Sequence, residues 1–164
     1  CPGHTNLWRQ PGWERSPPMV CLVVAAHGHL AEGLVASSSM IVGPSDDVVA
    51  VTFDPSEGPD DLLAKYAAAV EASSSQEYLI LVDLFGGSPY NAAARFAAGR
   101  DDADVVTGVN LPMVIEVLSR RLTGAGLAEL VEAARTSAVD GVKVLSEVFT
   151  PAPTTTSDDE GDEL

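Results

Sequence analysis

Three short stretches of this chain carry residue types that can move a phosphoryl group. His27-Gly28-His29 ends one apolar run, Asp83 ends another, and Gly86-Gly87-Ser88-Pro89 follows Asp83 within three residues. A neutral imidazole is a nucleophile near pH 7, because its pKa is close to ambient. A carboxylate that holds one ring nitrogen fixes the tautomer and exposes the other. Asp83 can do this for His27 if the two strands that end in these residues are neighbours. A glycine-rich turn that opens a helix offers free backbone N–H groups to an anion, and glycine lets the backbone come close. His27 as nucleophile, Asp83 as orienting acid, and Gly28, Gly86, Gly87 and Ser88 as the cradle point together to phosphoryl transfer through a phosphohistidine.

Each piece alone has a plainer reading. A histidine at a strand end is commonly a hydrogen-bonded structural residue. Gly-Gly-Ser-Pro is commonly a turn and a helix start, and Asp83 can cap backbone amides. The convergence of the three carries the argument. His29 reads as solvated. A His-x-His metal site lacks further nitrogen or sulfur ligands, since the remaining histidine is His4 and the cysteines are Cys1 and Cys21. No metal and no other cofactor is expected. Cys21 lies inside an apolar run and reads as a small buried hydrophobe.

The elements that must position these residues alternate in period. VCLVVAA (20–26), VVAVTF (48–53), YLILVDL (78–84) and DVVTGV (104–109) are short, apolar and β-branched. Near-continuous apolar strands suit a parallel sheet covered on both faces. The stretches between them read as helices. Leu30, Leu34, Ser38 and Ile41 fall near one face, and Leu62, Leu63, Tyr66, Ala67 and Val70 make a clearer stripe. Ser88 is expected as N-cap with Pro89 as first helical residue, and Pro112 opens the next helix with Asn110 or Leu111 near its cap. Leu127, Leu130, Val131, Ala134 and Ala138 mark a last helix, which Gly141 stops. VKVLSEVF (142–149) reads as a fifth strand or a prolongation of that helix. Strand–helix alternation implies an α/β sandwich built from βαβ crossovers. Sites in such sheets collect at the carboxyl ends of the strands, which is where His27, Asp54, Asp83 and Asn110 fall.

The 164 residues suffice for one ordinary domain. Nine basic against 24 acidic residues give a net charge of −15. That argues against a nucleic-acid backbone or an anionic membrane surface as partner. Two cysteines exclude a disulfide scaffold. The domain is placed at 19–149. Residues 1–18, with Pro, Gly and Trp but no period, read as a disordered leader or remnant. Arg15 before MVCLVVAA fits a secretory start only loosely, and cleavage there would delete the first strand. Residues 150–164 are Pro-, Thr- and acid-rich and read as a disordered acidic tail.

AAHGHLAEGL (25–34), LVDLFGGSPYNAAAR (81–95), GVNLPMVIEVL (108–118) and AVDGVKVL (138–145) resemble, in collinear order, the mannose-type enzyme IIA domain of the bacterial sugar phosphotransferase system. The likeness spans about 19–149. It implies a three-layer α/β/α sandwich with a four-stranded parallel sheet of order 2-1-3-4. It also implies an antiparallel fifth strand, matched here by 142–149, that can be exchanged across a homodimer. It also implies a cytoplasmic phosphotransferase. His27 would take a phosphoryl group on Nε2 from the phosphohistidine of HPr, with Asp83 on the other ring nitrogen and Ser88 adding a hydroxyl. The group would pass to an enzyme IIB partner on a separate chain, and so to the membrane IIC/IID complex. Ala26 stands where relatives often have Thr or Ser, and one hydroxyl near the imidazole is expected to be lost. The phosphocarrier subunit of dihydroxyacetone kinase, a tetrapyrrole metal chelatase and a non-catalytic phospho-dependent regulator are the competing readings. No histidine follows His29, which disfavours the chelatase.

Overall fold

Strand β1 (Cys21–His27) is buried on both faces until its last residue, and this sets the architecture. Val20, Leu22, Val24 and Ala26 face one way, and Cys21, Val23 and Ala25 the other. Each set needs its own helical layer, because alternate side chains of a strand leave opposite faces of the sheet. The computed structural model describes residues 19–149, so the leader 1–18 and tail 150–164 lie outside the described residues.

After β1 come α1 (Leu30–Val42), β2 (Val48–Phe53), α2 (Pro59–Ala72), β3 (Tyr78–Val82), α3 (Ser88–Ala97) and β4 (Ala103–Thr107). The chain continues through α4 (Leu111–Leu122), α5 (Leu127–Asp140) and the single turn α6 (Leu145–Val148). The four strands form one parallel sheet in the expected order β2-β1-β3-β4. Ala31 of α1, Met113, Val114, Val117 and Leu118 of α4, and Leu130 and Ala134 of α5 cover one face. Leu62, Tyr66 and Ala69 of α2 and Ala92 and Ala93 of α3 cover the other. Cys21 is buried among them, as its place in the first strand implied.

Four expectations shift. The buried stripe of α1 runs through Ala31 and Ser38, with Leu34 and Val35 packed beside them, while Leu30 and Ile41 are exposed. Ser38 is tolerated in the core because its hydroxyl donates to the Val35 carbonyl at 2.9 Å. Gly87, not Ser88, is the N-cap of α3, and Ser88 is already helical. Gly141 caps α5 at φ −70°, so no left-handed turn calls for glycine there. Its reason is space: a Cβ would meet Cβ and Cγ of Pro112 at 2.6 Å. Residues 142–149 are not a strand. They hold the single turn α6, and Val142, Leu145, Val148 and Phe149 are exposed. A strand is defined by the edge it bonds to, and within one chain no described strand pairs with this segment.

Candidate active site

Because β1 and β3 are hydrogen-bonded neighbours, their carboxyl ends bring His27 and Asp83 together. Asp83 Oδ2 accepts two bonds, from the backbone N–H of His27 at 3.0 Å and from its ring Nδ1 at 2.8 Å. The acceptor is a carboxylate, so Nδ1 carries the proton and Nε2 keeps its lone pair. The imidazole is 46% exposed and the carboxylate 15%. Burial pushes the Asp83 carboxyl up, but the bonds from His27 outweigh it and hold the group below its ordinary value.

Two glycines let the β3–α3 turn reach the ring. Gly86 sits at φ +78°, a left-handed conformation that side chains resist. Gly87 has an ordinary φ of −72°, yet a Cβ there would lie 3.0 Å from Cε1 and 3.7 Å from Nε2 of His27. Its backbone therefore passes against the imidazole edge. Asn91 Nδ2 donates to the Gly86 carbonyl at 3.0 Å and closes the turn. The Gly87 N–H is bonded to the Leu84 carbonyl, and the Asn91 N–H to the Gly87 carbonyl. Pro89 has no N–H. The amides of Ser88 and Tyr90 are left without intrahelical partners, at the positive end of α3. Gly28, at φ +56°, turns the chain from β1 into α1 and donates its N–H to the Phe53 carbonyl at 2.9 Å.

The structure thus gathers His27, Asp83, Gly86, Gly87 and Ser88 on one edge, with Gly28 directly behind the histidine. Asn110 stands apart. Its Oδ1 accepts from the Met113 N–H and its Nδ2 donates to the Ala138 carbonyl, so it secures α4 and α5. Ala26 is fully buried in the layer of α1, α4 and α5, the face opposite to the His27 ring. A hydroxyl at 26 would therefore not reach that ring from its own side of the sheet, which removes the expected loss.

Sequence reasoning missed three supports. Phe53, paired with His27 in the β1–β2 register, meets the imidazole edge-on with centroids 5.5 Å apart. Tyr66, buried in α2, donates its hydroxyl to the Pro89 carbonyl at 2.9 Å and anchors the start of α3. Burial, with Asp83 adding to it, raises the Tyr66 phenol. Lys65 donates to the Thr52 carbonyl and to Glu57, closing the end of β2. The parallel register was the only signal for Phe53, since residues of equal depth on adjacent strands share an edge.

The surroundings of the ring are open. Leu84 and Phe85 are exposed beside it, with Phe85 against the Tyr90 ring at 4.7 Å. A groove of about 640 Å³ lies between α4 and α5, in the layer away from the His27 ring. Among the described residues no three His, Cys, Asp or Glu side chains are grouped to hold a metal ion. No described helix is long and apolar enough to cross a membrane.

Comparison with known proteins places this arrangement. The EIIA-man family, described as the PTS system fructose IIA component, matches residues 21–135. The PTS system fructose-specific EIIA component of Bacillus subtilis is 37% identical over 147 residues, covering 89% of this chain and 100% of that protein. The PTS system mannose-specific EIIAB component of Escherichia coli is 35% identical over 139 residues, covering 82% of this chain but 43% of that longer protein. Among solved structures, a mannose/sorbose-specific IIA subunit from Enterococcus faecalis superposes with a TM-score of 0.70 at 30% identity, over 83% of this chain and 99% of that one. The EIIA component from Streptococcus agalactiae gives 0.73 at 27%, over 79% and 99%. The chain belongs to the mannose-type enzyme IIA family of the sugar phosphotransferase system.

Proposed function

We propose that this protein is a phosphohistidine carrier. His27 Nε2 attacks the phosphorus of phosphorylated HPr. The N–P bond of the donor breaks as the Nε2–P bond forms, and the donor imidazole leaves with its electron pair. The Nδ1 proton of His27 stays on the bond to Asp83. Transfer to a histidine of an enzyme IIB partner repeats the step in the other direction, and IIB then phosphorylates the sugar during uptake through the membrane IIC/IID complex. No metal is required for histidine-to-histidine transfer, since positioning and amide donors supply the stabilisation.

The observation that carries the reading is the His27 Nδ1–Asp83 bond of 2.8 Å, which commits the other nitrogen to nucleophilic attack. The unbonded amides of Ser88 and Tyr90, with the Ser88 hydroxyl, supply donors for the phosphoryl oxygens. The half-exposed ring, flanked by exposed Leu84 and Phe85, favours a protein donor over a small molecule held in a cleft. A cytoplasmic homodimer, with the exposed apolar residues of 142–149 at its seam, belongs to the same reading.

Intact mass after incubation with enzyme I, HPr and phosphoenolpyruvate tests it. One acid-labile phosphoryl group on the wild type and none on His27→Ala is the expected result. Equal gain on both proteins would move the site elsewhere. No gain by the wild type with its cognate HPr would overturn the reading.

A further inference from the structure

Phosphorylation of His27 would place a group of about −1.5 to −2 charge on an edge that is already acidic. Asp83 lies against the ring, and Asp54 and Glu57 follow β2. The cations of the flanking elements are engaged. Lys65 is bonded to Glu57 and to the Thr52 carbonyl, and Arg95 lies 3.7 Å from Asp60. The start of α3 offers neutral dipoles worth about half a charge.

Among the described residues, one further side chain there can carry a positive charge. His29 is the N-cap residue of α1, separated from His27 only by Gly28. Its ring makes no capping bond. Its Nδ1 is bonded to Glu32 Oε2 at 2.8 Å, the same length as the His27–Asp83 bond, and its side chain is 82% exposed. The two pairs differ in what lies opposite. The His27 ring faces Gly87, whereas His29 stands at the open edge. Two trans peptides span at most about 7.6 Å between Cα atoms. Both side chains therefore leave the same edge of the sheet, and a charge on His29 acts on a phosphoryl on His27 through solvent that screens it over a Debye length of about 8 Å.

We propose that His29, oriented by Glu32, is a positioning residue whose imidazolium offsets the charge of phosphorylated His27 and makes the phosphoryl share of this protein depend on pH. The inference rests on the carrier reading. Among the described residues, the charged groups that act on His29 are Glu32 on α1 and Asp54 in the loop after β2. Behind them, Glu57 is paired with Lys65 and Asp83 with His27. The bond from Glu32, its charge and then that of Asp54 raise the His29 pKa above the ordinary imidazole value. The charge is therefore present below that raised value and is lost as pH rises through it.

The test is the equilibrium division of phosphoryl groups between HPr and this protein, read by phosphorus NMR across about pH 5.5 to 8.5. Wild type, His29→Gln and His29→Lys are compared against the same donor, so titrations of the donor and of the phosphoryl group cancel. Relative to His29→Gln at the same pH, the wild type is expected to hold a roughly three- to tenfold higher phosphoryl share at low pH, an advantage lost as pH rises. On that relative scale His29→Lys should keep the higher share throughout. A His29→Gln profile that titrates like the wild type overturns the inference while leaving the carrier reading standing, as does failure of the lysine to restore the share. A second phosphoryl group on His29 also overturns it, because the ring would then be an acceptor. No phosphoryl on any of the three proteins overturns the carrier reading and this inference together.

Discussion

The turns that follow β3 and β4 are built to one plan and used differently. Each has a left-handed glycine, Gly86 at φ +78° and Gly108 at φ +78°, then an extended N-cap, and a proline at the second helical position. The caps differ. Asn110 accepts from the Met113 N–H at 3.0 Å and donates to the Ala138 carbonyl at 3.0 Å, so the start of α4 is satisfied internally. Gly87 has no side chain, and the amides at the start of α3 are left for something else. The uncapped turn is the one that touches His27. An N-cap is worth about 1 kcal/mol to a helix, and omitting it leaves a helix start able to bind an anion. The proposed phosphoryl site lies where the ordinary cap is left out.

Making the two turns alike should have the largest effect. Gly87→Asn fits the backbone, since φ −72° and ψ 168° are ordinary for an asparagine cap. Its Oδ1 would accept from the Tyr90 N–H, and its Cβ, 3.0 Å from Cε1, would press the imidazole out of place. Misplacement of a reacting group by about 1 Å can cost about 100-fold. We expect the rate of phosphoryl uptake from HPr to fall by roughly that factor, with a melting temperature unchanged or slightly raised by the new cap. Uptake at the wild-type rate would show that the free amides are not what the turn supplies.

The opposite outcome is expected from a second glycine of ordinary φ. Gly141 packs where a Cβ would meet Pro112 at 2.6 Å and the Ser137 carbonyl at 3.1 Å. Gly141→Ala overpacks the joint between α4 and α5, which costs about 1–3 kcal/mol. The measurable result is a fall of several degrees in melting temperature, with the phosphoryl uptake rate per folded molecule unchanged. Loss of uptake at temperatures where the variant is folded would mean that the two turns are coupled, and the contrast between them would fail.

How much of this was legible in the sequence follows from which forces are local. The four strands and their carboxyl ends were legible, because apolar runs buried on both faces leave a continuous signal. His27 and Asp83 were legible as a pair once β1 and β3 were taken as neighbours. The cap was misassigned, because serine is the better capping residue by chemistry and only the close approach to the imidazole shows why glycine holds the position. The face of Ala26 is legible in its alternation with Cys21, Val23 and Ala25. Phe53, Tyr66 and Lys65 act through tertiary register, which no local pattern encodes. Residues 142–149 have a strand-like composition, but a strand needs a partner edge, and that lies outside any local reading.

Removing the cap that the other turn does have should cost less. Asn110→Ala deletes the bond to the Met113 N–H and leaves the Ala138 carbonyl without its donor. The expected loss is about 1 kcal/mol, read as a lower urea midpoint at unchanged slope. This loss should be the same near pH 7 and near pH 3, because the cap is a neutral amide.

The acid limb then separates the turns by the smallest effect. Asp83, held below its ordinary value by the bonds from His27, contributes stability that is fully present above its unfolded pKa and lost as pH falls through its folded one. The stability difference between wild type and Asp83→Asn should therefore shrink from about pH 5 down to about pH 2, while the difference for Asn110→Ala stays flat. A flat difference for Asp83→Asn would mean that the aspartate holds the histidine by shape alone. The charge that fixes the Nδ1 proton, and with it the free Nε2, would then have to come from elsewhere.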